Sequence, residues 1–97
     1  MAQSESALRE VIGEYEDERS LTASRLDNLL IRRTRFELAR ELMVEHGQLA
    51  EAGELQTQVY ELDRQIEASK AQLNKVTGLI AGYRSTLHKI EQAGSRT

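Results

Sequence analysis

Apolar residues recur through the C-terminal half of the chain at alternating intervals of four and three. Leu55, Val59, Leu62, Ile66, Ser69, Leu73, Val76, Ile80, Tyr83, Leu87 and Ile90 follow this rule without a slip, and only Ser69 is neither apolar nor aromatic. A period of 3.5 residues held over this distance predicts a left-handed coiled coil. Val59, Ile66, Leu73, Ile80 and Leu87 take the a positions; Leu55, Leu62, Ser69, Val76, Tyr83 and Ile90 take d. The β-branched a residues suit a parallel dimer, but such dimers prefer Leu at d. The mixture of Ser, Val, Tyr and Ile found at d fits antiparallel or multi-helix pairing better.

Two weaker patterns precede it. Over residues 5–19, Leu8, Val11 or Ile12, and Tyr15 stand at helical spacing, with Ser4 and Ser6 as candidate N-caps and Gly13 as a weak point. Over residues 21–45 two rows appear. One is Leu29, Phe36 and Met43; the other is Ile31 and Leu38, extended by Leu42. At about 100° per residue these rows lie on separate faces, so this helix would touch two neighbours. Ser20 or Thr22 could cap the second helix afresh, which leaves a break near 19–22 and one continuous helix both open. Glu45-His46-Gly47 reads as a stop, with Gly47 as the C′ residue and His46 capping the last carbonyls. Residues 46–54, with a second glycine at Gly53, read as a turn, and residues 93–97 as a frayed tail.

These elements predict one all-α domain. Residues 21–45 fold back on 55–80 as a helical hairpin, an antiparallel coiled coil with a short additional N-terminal helix. The third helix, about 55–92, outlasts the second. Its end, with Ile80, Tyr83, Leu87 and Ile90, must therefore pair with the first segment or with another chain. Completion by oligomerisation, a homodimer first of all, is the expectation.

Composition narrows the reading. Among 97 residues there is no proline, only six glycines, 30% charged residues and 4% aromatics. Long helices with narrow aliphatic seams suit this better than a large globular core. The absence of cysteine removes disulfides, thiolate chemistry and cysteine metal sites. The first twenty residues hold Glu5, Glu10, Glu14, Glu16, Asp17 and Glu18 against Arg9 and Arg19, unlike a signal peptide, and no apolar run approaches a membrane span. A cytoplasmic protein is expected.

Candidate chemistry is sparse. A hydrolytic triad needs a nucleophile, a base and an orienting acid, and the only histidines are His46 and His88. A carboxylate metal bundle needs Glu-x-x-His, but Met43 precedes His46 and Ser85 precedes His88 at that offset. His88 and Glu91 alone make a poor metal site. No enzyme, cofactor or metal is expected. Arg25, Arg32, Arg33, Arg35 and Arg40 crowd onto about half the circumference of one helix and could lie against phosphate. Asp27, Glu37, Glu41 and Glu45 dilute that face, the chain carries a net charge of −3, and no aromatic platform is present. Pairing with carboxylates, in particular those of the acidic first segment, is the expected role of these arginines. On the third helix, Ala68, Ala71, Gly78, Ala81, Gly82 and Ser85 form a small-residue back face, read as tolerated surface. The functional expectation is a non-enzymatic adaptor or chaperone that self-associates and binds a partner protein. Its expected surfaces are Leu29, Phe36 and Met43, and the coiled-coil seam Val59, Leu62, Ile66, Leu73, Val76, Ile80, Tyr83, Leu87 and Ile90. A nucleic-acid-associated regulator using the arginine face, or a structural assembly subunit, is the rival.

Overall fold

The computed structural model describes residues 2–95. Two helices account for nearly all of them: α1, Ala2–Glu45, and α2, Leu49–Ser95. They run antiparallel and pack on each other as the two limbs of a helical hairpin, with no strand among the described residues. Nothing in either span forbids helix, since proline is absent and Ala, Leu, Glu, Arg and Gln predominate.

The break considered near residues 19–22 does not occur. No glycine or proline stands there. Thr22 does not cap a new helix; it is 4% exposed, turned inward within α1. Ser4 and Ser6 likewise lie inside α1, which begins at Ala2. At the other end α2 continues through Ser95, so the expected fraying of 93–95 is not seen; Arg96 and Thr97 lie outside the described residues.

The reversal is shorter than the sequence suggested. Gly47 has φ +70°, a left-handed conformation that costs glycine little. The Gln48 amide donates to the Met43 carbonyl at 2.8 Å and the Gly47 amide to Val44 at 3.1 Å. These two bonds make a Schellman motif, which satisfies carbonyls left open at the helix end. His46 adds to it: Nδ1 lies 3.0 Å from the Leu42 carbonyl, as expected of a capping residue. With the chain reversed by Gln48, residues from Leu49 onward are free to be helical. Gly53 therefore falls inside α2 rather than in the turn.

The contacts divide into two units. One joins residues 2–22 to 72–95. Here Ile12, Val76 and Ile80 are buried, and Leu8, Tyr15, Leu73, Tyr83, Leu87 and Ile90 are half-buried. Tyr15 stacks on Tyr83, Arg9 pairs with Glu91 at 2.7 Å, and Arg84 pairs with Glu16 at 2.8 Å. Gln72 donates to Glu18 at 2.8 Å. The other unit spans 23–71. There Ala52, Val59, Leu62 and Ile66 are buried on α2, facing half-buried Leu26, Leu29, Phe36 and Met43 on α1. Burying such aliphatic side chains contributes roughly 1.5–3 kcal/mol each, while exposed ion pairs contribute about 0–1. The apolar seam therefore decides stability, and the ion pairs mainly fix orientation.

Candidate interaction surface

The seam residues expected at an oligomer interface are consumed within the chain. Val59, Val76 and Ile80 are each 1% exposed, packed by α1 of the same molecule. The end of the third helix meets the first segment, one of its two expected partners: Tyr83 meets Tyr15, and Glu91 meets Arg9.

Beside this seam, at the turn end, an open cavity of about 680 Å3 lies between α1 and α2. Phe36 and Met43 from α1 and Leu55 from α2 give it an apolar floor; Glu51, Glu54, Thr57 and Gln58 form its α2 rim. The expected surface row Leu29, Phe36 and Met43 is thus half-buried, with Phe36 and Met43 accessible from the cavity. The Arg32 guanidinium stands over the Phe36 ring at 5.3 Å, which sets a cation on the α1 rim. Neither Glu51 nor Glu54 has an ion-pair partner among the described residues. One rim is therefore basic and the other acidic.

Comparison with known protein families, with curated proteins and with solved structures finds no match. The surface must be read from its own chemistry.

A second apolar surface lies on the far side of α1. Ile31, Leu38 and Leu42 are 51%, 60% and 49% exposed. At about 100° per residue their mean direction is about half a turn from the seam row, so α2 cannot reach them. This row was legible as a separate face, and its exposure completes the two-neighbour expectation on one side only. By the same geometry Arg35 flanks the ridge on one side at about 40°, and Asp27 and Glu45 flank it at about 40° on the other.

Two of the five arginines are paired with carboxylates. Arg33 donates through Nε to Asp63, and Arg40 pairs with Glu37 at 2.6 Å. The hydrogen bond to each carboxylate pushes these two guanidinium groups above their ordinary pKa. Arg32 covers Phe36, and Arg25 and Arg35 are exposed. Two carboxylates of the acidic first segment expected to receive them are engaged elsewhere, Glu16 with Arg84 and Glu18 with Gln72. The small-residue face of α2 is exposed, and a Cβ added at Gly78 or Gly82 would meet nothing within 4 Å. No group of three or more metal-ligating side chains, and no helix long and apolar enough to cross a membrane, occurs among the described residues.

Proposed function

We propose that the chain is a non-enzymatic helical interaction module, an adaptor or chaperone that holds an amphipathic partner helix in the cavity at its turn end. The observation that carries this reading is the cavity itself: an apolar floor of Phe36, Met43 and Leu55, with Glu51 and Glu54 along its α2 side and Arg32 over Phe36 next to it on α1. Grooves of this kind take helices whose apolar ridge fills the floor while charged flanks meet the rims. The intramolecular seam supplies the rigidity that such a site needs, because its buried aliphatics do not have to be shared with a partner. The regulator reading has less support. Arg33 and Arg40 are committed to carboxylates, which leaves few cations for phosphate.

A photo-crosslinking side chain placed at Gln58 tests this in the source cells. It should trap a discrete protein, and the same side chain at exposed Ala81 should not. Equal trapping from both positions, or none from Gln58, would reject the reading. Salt-steep retention on duplex DNA would promote the regulator instead.

A further inference from the structure

We infer that the occupant of the turn-end groove is the exposed ridge of a second copy of this chain, Ile31, Leu38 and Leu42, seated antiparallel to the α1 that receives it. This rests on the groove being a partner site and names the partner.

Each molecule carries two surfaces that α1 and α2 leave uncovered, and their features match. The ridge offers three aliphatic side chains along one face of α1. The groove offers Phe36, Met43 and Leu55 as floor. The charges then select direction. The ridge has Arg35 on one flank and Asp27 and Glu45 on the other. The groove has Arg32 on its α1 rim and Glu51 and Glu54 on its α2 rim. With right-handed helices, lowering the ridge parallel to the receiving α1 turns Arg35 toward Arg32, and the carboxylates toward Glu51 and Glu54. Like charges then meet on both sides. Reversing the ridge places Arg35 beside Glu51 and Glu54, and Glu45, about 10 residues further along α1, beside Arg32, so opposite charges meet on both sides. Complementary flanks of this kind fix orientation and register more than they add affinity.

The ridge lies about half a turn from the seam, so a molecule whose groove is filled still presents its own ridge. The contact is heterologous: the surface given differs from the surface received. Such contacts continue into open assemblies unless rotation closes them.

Two variants separate this from any symmetric dimer. Leu38→Glu disables the ridge and spares the groove; Glu51→Lys with Glu54→Lys reverses the groove rim and spares the ridge. All three positions lie outside the buried core, and circular dichroism checks that both variants stay helical. Sedimentation velocity is run at low salt from about 10 µM to 1 mM, the range where weak contacts populate. The parent should sediment faster as concentration rises, beyond the value of a dimer, and each variant alone should stay monomeric. An equimolar mixture should form a one-to-one complex and grow no further, because one live ridge meets one live groove. A parent that stays monomeric, variants that associate like the parent, or a mixture that stays monomeric would each overturn self-docking. If that happens while Gln58 still crosslinks a different protein, the groove remains a partner site and only its occupant was misassigned.

Discussion

Tyr15 of α1 and Tyr83 of α2 stack with ring centroids 5.8 Å apart and planes inclined by 29°. Sixty-eight positions apart in sequence, they tie the first segment to the end of α2. This pairing is how one chain covers the stripe that would otherwise call for a second. Aromatic pairs in this geometry contribute about 0.5–1.5 kcal/mol beyond their burial. A double-mutant cycle on Tyr15→Leu and Tyr83→Leu, read from urea midpoints, should return a coupling in that range. Additive effects would mean that the rings do not meet in solution.

Thr22 tests whether α1 continues unbroken through residues 19–22. Its side chain is 4% exposed, with a hydroxyl where a methyl would serve the seam better. Thr22→Val keeps the shape and replaces a polar group in an apolar setting, so it should stabilise the fold by about 0.5–1 kcal/mol. A neutral or destabilising outcome would place Thr22 at a solvated break, where its hydroxyl caps a helix.

The reversal depends on Gly47. At φ +70° a side chain meets its own backbone, although the space around it is open. Gly47→Ala should lower stability by about 1 kcal/mol through this strain. Gly53→Ala, by contrast, sits inside α2 with nothing within 4 Å and should raise stability by roughly 0.5–1 kcal/mol. Opposite signs from the two changes in a thermal melt would locate the turn at 46–48; equal signs would not.

The α2 seam was legible because every position but Ser69 is apolar or aromatic, so the spacing stands out against a polar background. Gly47 was legible for the same kind of reason, since few residues other than glycine end a helix in a left-handed turn. The α1 seam was not. Its half-buried or buried positions, among them Leu8, Ile12, Tyr15, Arg19, Thr22, Leu26, Leu29, Arg33, Phe36, Arg40 and Met43, also follow the intervals of four and three. Arg19, Thr22, Arg33 and Arg40 interrupt it with polar side chains: Thr22 is buried, and the three arginines are half-buried with their stems against the seam. By sequence alone, Arg33 and Arg40 therefore fall with a surface basic face. The groove was half legible. Phe36 and Met43 stand out as a row, but Glu51 and Glu54 fall inside the segment read as a turn, 46–54, and Gln58 just beyond it. Only the extension of α2 back to Leu49 turns them into a rim.

Stability and association should therefore reside on different faces of the same helices. The same chemical insult applied to each face separates them: Ile66→Asp puts a carboxylate into a site that is 4% exposed, and Leu38→Glu puts one on the exposed ridge. A buried unpaired charge costs several kcal/mol, a large share of what a chain this size has, whereas an exposed one costs little. The deciding measurement is the circular-dichroism melt of the two variants beside the parent. Ile66→Asp should lose its cooperative transition, and Leu38→Glu should melt at dilute concentration within a few degrees of the parent. A parent-like melt for Ile66→Asp, or collapse of Leu38→Glu, would contradict a seam closed within one chain and a ridge left open for association.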